Sequence, residues 1–166
     1  MSGREWCGPN LTGMRERELI ESLGLEPHPE GGYFRRIYTS PHPHAAAGGP
    51  QPTATSIYYL MTAGQPCGRL HRNRSDILHF FLEGDPVEYH TVDPDGRLDV
   101  RVLGAADERH LLVPGGWWKA SRLPEAARYA LVTEVVTPGF DFADHAFATE
   151  ADLPPEHRDA LRRFLG

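Results

Sequence analysis

"GRLHRNRSDILHFFLEGDP", Gly68 to Pro86, holds two histidines, two aspartates and two glycines in a run that otherwise reads as an apolar strand. Side chains on a strand alternate between two faces, so Arg69 shares the direction of His71. Beyond the turn, Ile77, His79 and Phe81 share that inward face. Two imidazoles are thereby brought within reach of one another across a single hairpin.

The flanking sequence has the same character. "ATSIYYLMT" lies before this stretch, and "VEYHTVD", "RLDVRVLG", "RHLLVPGGWWKASRL" and "RYALVTEVVTPGFDF" lie after it, separated by turns such as "DPDG". With "GGYFRRIYTS" this predicts about eight strands, the spacing of a sandwich or small barrel. "MRERELIESL", residues 14 to 23, sets Leu19, Ile20 and Leu23 on one side of a short helix that Gly24 stops. "PPEHRDALRRFLG" predicts a terminal helix with Leu161, Phe164 and Leu165 as its apolar side. "PHPHAAAGGPQPT", residues 41 to 53, reads as a Pro-rich loop in which His42 and His44 are solvated.

Length and charge bound the function. A chain of 166 residues supports one domain with a core. We expect a tail over 1–13, a β-barrel domain with its leading helix over 14–150 and a terminal helix over 151–166. The net charge of −6, with both signs mixed along the chain, offers no basic stripe for nucleic acid. No apolar run long enough to cross a membrane and no signal-peptide pattern occurs, so the expected location is the cytoplasm. Cys7 and Cys67 form no disulfide framework and read as reduced thiols.

Gly68, His71 and Gly84, followed by "PGGWWK", resemble the two-part signature of the cupin superfamily, whose members are jelly-roll barrels. "HPEGGYF", "SIYYLM", "LHRNRSD" with "HFFLEGDP", "VPGGWW" and "TPGFDF" look like the cupin-5 subfamily, most members of which lack an assigned function. The resemblance spans roughly residues 14 to 148 and implies an all-β, single-domain cupin-type jelly-roll barrel with short N- and C-terminal helices. It also implies a homodimer paired through Tyr33, Phe34, Ile37 and Tyr38. Of the metal-binding tetrad that the superfamily implies, only His71 is matched. Asn73, Ile77 and Lys119 occupy the other three positions, so no resident metal and no other cofactor is expected.

The residues left inside such a barrel define the candidate site. His71, His79, Lys119 and Glu134 are the candidate catalytic groups, with His71 the first choice for proton transfer near neutral pH. His79 reads equally as a hydrogen-bonded core histidine. Lys119 in an inward slot needs an acid, and Glu134, set among apolar residues in "LVTEVV", is the economical partner; the alternative turns both outward. Arg69, Asn73, Glu30, Tyr58, Tyr89 and Trp117 are the candidate substrate-binding residues. Glu30 reads also as a turn residue or dimer contact, the tyrosines and Trp117 also as packing, and Trp118 as core.

A cavity carrying Arg69, His71, His79 and Lys119 would be cationic and would favour a small anionic or carbonyl-bearing ligand. The leading expectation is a metal-independent isomerase, epimerase or cyclase acting on a small polar metabolite in specialised metabolism. A non-catalytic small-ligand-binding cupin is the alternative. The third reading is a metal-dependent oxygenase or isomerase that uses His71 and His79 with Glu134 or Glu30.

Overall fold

A computed structural model describes residues 13–46 and 49–166; the expected tail, including Cys7, lies almost wholly outside them. Helix α1 (Met14–Leu23) leads into β1 (Glu26–Pro27), β2 (Tyr33–Thr39), β3 (Pro43–Ala46), β4 (Gly49–Pro52), β5 (Thr55–Thr62), β6 (Cys67–Asn73) and β7 (Asp76–Gly84). Next come β8 (Val87–Val92), β9 (Leu98–Leu103), β10 (His110–Val113), β11 (Trp118–Arg122), β12 (Tyr129–Thr137), β13 (His145–Phe147) and helix α2 (Arg158–Leu161). The strands exceed the expected number because several are short edge pieces without a periodic pattern of their own.

Two sheets face each other as a jelly roll. One has the order β1-β2-β5-β12-β7-β10, the other β13-β6-β11-β8-β9. Period-two alternation sorts each long strand. On β12, Ala130 and Val132 enter the core between the sheets while Leu131 faces α1. On β6, Leu70 faces outward beneath the chain's C-terminal segment and His71 faces inward.

The space between the sheets is filled at one end only. Tyr59, Met61, Phe81, Tyr89, Leu111 and Val132 belong to one buried cluster. The next inward positions along the same strands, Ile57, Ile77, Glu134 and Val136, line an open cavity. A packed half and a hollow half thus share the same strands.

Two expectations need correction. Residues 41–53 are not a free loop: β3 and β4 pair from Pro43↔Pro52 to Ala46↔Gly49. The Ser40 and Thr53 hydroxyls close the base of this hairpin at 2.7 Å, and the Gln51 amide donates to Asp144 at 3.0 Å. The terminal helix is broken, its α-helical part being only Arg158–Leu161 between 3-10 turns at Pro155–His157 and Arg162–Phe164. Its apolar side still packs, with Leu161 and Phe164 against Leu70 and Val92. On the opposite sheet, β1 pairs with β2 at Tyr33 and Phe34, so among the described residues Ile37 and Tyr38 lie exposed on a largely unpaired edge.

Because Phe164 is only 2% exposed and backs the strand that carries His71, Phe164→Ala should cost about 3–5 kcal/mol. Urea denaturation followed by circular dichroism will measure it, and a loss below about 1 kcal/mol would show that the segment is not part of the cooperative core.

Candidate functional site

The cavity of about 310 Å³ opens at the unfilled end of the barrel. Its walls are chiefly apolar, with Phe34, Ile57, Ile77, Val136, Phe140 and Phe147 among them. The polar groups gather as two clusters.

Glu30, His71 and His145 form the first. Glu30 is set by the "EGG" turn: Gly31 and Gly32 have φ of 101° and 73°, and a Cβ on either would stand 2.5 Å from the Cys67 carbonyl or 2.6 Å from the Leu60 carbonyl. Only glycine fits both the backbone conformation and the close approach. The Arg69 N–H donates to the Glu30 carbonyl at 2.8 Å, tying this turn to β6. The carboxylate then faces His145 Nε2 at 2.9 Å and His71 Nε2 at 3.3 Å. His145 arrives on β13, which pairs with β6 so that His145 stands opposite Asn73 and Phe147 opposite His71. The two imidazoles stack with ring centroids 5.2 Å apart.

Lys119, His79 and Glu134 form the second cluster, deeper in the barrel. Lys119 Nζ lies 3.0 Å from His79 Nε2 and 3.4 Å from Glu134 Oε1. A protonated lysine donates to both, which makes His79 Nε2 an acceptor and leaves that ring neutral. Burial alone would raise the Glu134 pKa, but the Lys119 charge and then His79 hold it well below the carboxylate range. Burial, followed by the Lys119 charge, pushes His79 down. Around Glu30 burial is again the opposing effect, and His71 and His145 overcome it to bring the carboxyl to about 2.

The structure redistributes the sequence-derived site. Glu30, His71, Asn73 and Glu134 line the cavity. His79 and Lys119 do not; they stand behind Glu134 as its partners. Arg69 stacks on Phe147, 3.9 Å from the ring centroid. Tyr58 packs with the α1 cluster, Tyr89 lies in the filled half against His79, and Trp117 packs against that same half. None of these four lines the cavity. The expected cationic interior is therefore corrected: two carboxylates line it, and the Lys119 charge is matched by Glu134.

His145 escaped sequence reading, as did His28, Arg36 and the aromatic lining. The hairpin expected across His71 and His79 does not form, because β6 and β7 belong to different sheets. His145 lies 74 residues beyond His71 in sequence, and the β13–β6 pairing brings it there. The available signal was "DFADHAF", where a histidine alternates with Phe147 just beyond a Pro-Gly turn.

Two facing sheets with a half-filled interior are the jelly-roll plan, and the profile of the Cupin_5 family, described as Cupin superfamily (DUF985), matches residues 17–148. The chain belongs to this family. An uncharacterised Saccharomyces cerevisiae protein, YML079W, is 36% identical over 154 residues, covering 82% of this chain and 76% of its own. A hypothetical protein from Leishmania major superposes with a TM-score of 0.81 at 31% identity, covering 90% of this chain and 97% of that one. Protein SO0799 from Shewanella oneidensis gives 0.80 at 27% identity, covering 90% and 96%. A Bacillus subtilis oxalate decarboxylase variant gives 0.55 at 17% identity, covering 84% of this chain and 34% of its own, a likeness of fold alone.

The metal tetrad usual in cupins does not fit this barrel. Asn73 Oδ1 already accepts the Ser75 N–H at 2.9 Å, Ile77 has no donor atom, and Lys119 is buried in contact with Glu134. A protonated amine that donates to Glu134 and His79 has no lone pair to offer a metal at that position.

Breaking the inner ion pair should be costlier than removing it. Lys119→Met leaves a buried carboxylate without its counter-charge and should cost about 3–5 kcal/mol, whereas Lys119→Met with Glu134→Leu should recover most of that loss. Chemical denaturation of both variants checks the order. The sign of the pH effect follows from the same carboxyl. Held below its ordinary value of 4.5 in the fold, Glu134 stays ionised while the unfolded chain takes up a proton, so its contribution is complete above that value and is lost as pH falls toward the folded pKa. Urea midpoints should drop between about pH 5 and pH 3, and drop less in the double variant.

Proposed function

We propose that this cupin is an isomerase, epimerase or cyclase that moves a proton next to a carbonyl group of a small metabolite held in the barrel. The observation that carries the reading is the setting of Glu134. Lys119 and His79 both contact its Oε1, and the same side chain lines the cavity, which leaves Oε2 for a ligand. The carboxylate is ionised and oriented at neutral pH, but its low pKa makes it a weak base, so the reading requires a C–H acidified by an adjacent carbonyl whose oxygen is held by a hydrogen-bond donor.

Asn73 supports the complementary role. Its Oδ1 is committed to the Ser75 N–H, so the amide is oriented with Nδ2 as the free donor. That Nδ2 is buried and has no partner among the described residues. A ligand carbonyl oxygen would satisfy it, and the hydrogen bond would strengthen as the oxygen gains charge. The proton passes from the carbon to Glu134 Oε2 while the C–H electron pair moves into the enolate. Return of the proton to a neighbouring carbon gives an isomer; return to the opposite face from solvent gives an epimer. We place the base at Glu134 and not at His71, whose Nε2 already faces Glu30.

The lining also bears on substrate class. Phe34, Ile57, Phe140 and Phe147 suit an apolar body, and Arg36 lines the same cavity. We therefore favour an amphipathic carbonyl acid over a sugar.

The test is solvent-hydrogen exchange. Incubating the protein in D2O with aromatic and aliphatic keto acids should place deuterium beside the carbonyl, read by NMR. Adding Glu134→Gln to a Lys119→Met background, where no buried ammonium is orphaned, should slow exchange by about 10²–10⁴ relative to Lys119→Met alone. Binding without any exchange would favour a non-catalytic ligand carrier. Exchange at an unchanged rate in the folded double variant would remove Glu134 from the mechanism.

A further inference from the structure

The Glu30–His71–His145 cluster has an electrostatic peculiarity that proton transfer at Glu134 does not use. His71 Nδ1 lies 2.7 Å from the Arg69 carbonyl oxygen, which can only accept, so Nδ1 carries the proton. In a neutral ring Nε2 then holds a lone pair, and that lone pair faces the Glu30 carboxylate at 3.3 Å. Two electron-rich atoms turned toward each other in a buried wall need positive charge between them. That charge is either a proton or a metal ion.

We infer that Glu30, His71 and His145 form a binding site for one divalent first-row transition ion. The ligand atoms available from the three side chains all lie within 4.8 Å of one another. Atoms bound about 2.1 Å from a common ion at tetrahedral or octahedral angles stand roughly 3.0–3.4 Å apart. His145 Nε2 lies 2.9 Å from one Glu30 carboxylate oxygen and His71 Nε2 lies 3.3 Å from the other, so a carboxylate that holds the ion through both oxygens sets the imidazoles near that spacing. The Nδ1–H bond from His71 to the Arg69 carbonyl is the outer-shell contact that turns Nε2 toward an ion and fixes its tautomer.

The three ligands come from segments that are already locked together. Glu30 is held through its backbone to Arg69, and His145 is held by the pairing of β13 with β6. Little ordering cost remains for the ion to meet. The donor set also limits the ion. Two imidazoles and one carboxylate, without sulfur, suit iron(II), manganese, cobalt, nickel or zinc, and a site of three protein ligands facing a cavity keeps positions open. The nearby Lys119 charge does not forbid binding, because Glu134 neutralises it.

This site is displaced from the usual cupin tetrad. It shares His71 and takes its other two ligands from the "EGG" turn and from β13, which is why the loss of ligands at Asn73, Ile77 and Lys119 does not abolish it. The expectation of a metal-free barrel rested on those positions alone. The site also differs from the metal set expected from sequence, since His79 is engaged by Lys119.

Cobalt(II) tests the inference without any substrate. Full-length protein is stripped with chelator, dialysed, titrated with cobalt chloride and followed by visible ligand-field absorption, with elemental analysis after desalting. We expect one cobalt per chain and a ligand-field spectrum, both lost in Glu30→Gln and in His145→Phe. The second variant places an aromatic ring among Phe140 and Phe147, so it preserves the fold if Glu30→Gln does not. His42→Ala with His44→Ala should bind as the wild type does. Failure of folded wild-type protein to take up cobalt would overturn the site, as would uptake that survives both cluster variants or disappears with His42 and His44. Because no turnover is measured, either result leaves the proton-transfer reading to its own test, and failure of that test leaves this site standing.

Discussion

A lysine ammonium and a glutamate carboxylate, both nearly out of contact with water, join the two sheets of this barrel at mid-depth. Lys119 projects from β11 in one sheet and Glu134 from β12 in the other. Neither charge could be buried alone, since the cost of removing one from water is several kcal/mol. Each is therefore tolerated only while the other is in place. The pair marks where the filled half of the barrel ends and the hollow half begins. Toward one end the inward positions are Tyr59, Phe81 and Val132, and toward the other they line a cavity.

That partition places the candidate site. The filled half, closed by aromatic and branched side chains, gives the strands their rigidity. In the hollow half β6 presents His71 and Asn73, and β12 presents Glu134, to the cavity at positions set by sheet register, a more precise support than a surface loop. Elements outside the sandwich finish the arrangement. The C-terminal segment buries Leu161 and Phe164 behind β6, and α1 buries Leu19 behind the opposite sheet. The "EGG" turn then delivers a carboxylate to the open end.

At a position where the superfamily resemblance implies a metal ligand, this chain carries a lysine and gives it an internal counter-ion. Glu30, His71 and His145 lie on the cavity wall as a separate group. Two charged systems thus share one small space, one neutralised internally and one with its lone pairs turned inward. An apolar lining around them lowers the local dielectric, which strengthens each electrostatic contact with a bound molecule.

Local pattern carried much of the architecture. Alternation of apolar and polar residues marked the long strands, Pro and Gly marked their ends, and "LVTEVV" made Glu134 the economical inward partner of Lys119 while an outward placement of both stayed open. Parity was less informative where side chains are long or strands irregular: Arg69 shares the parity of His71 yet stacks on Phe147, and Tyr89 points inward but into the filled half. Depth along a barrel has no sequence period, so alternation cannot say whether an inward residue meets a core or a cavity. The three-residue strand β13 has too few positions to show a pattern, and its His145 reaches His71 only through hydrogen bonds to β6. Sequence by itself determined the long strands, most of their faces and the loss of the usual ligands, because these depend on local stereochemistry and residue type. Only the tertiary structure decided which distant carboxylate and imidazoles share one wall, because that depends on how the sheets pair and how far along the barrel each side chain stands.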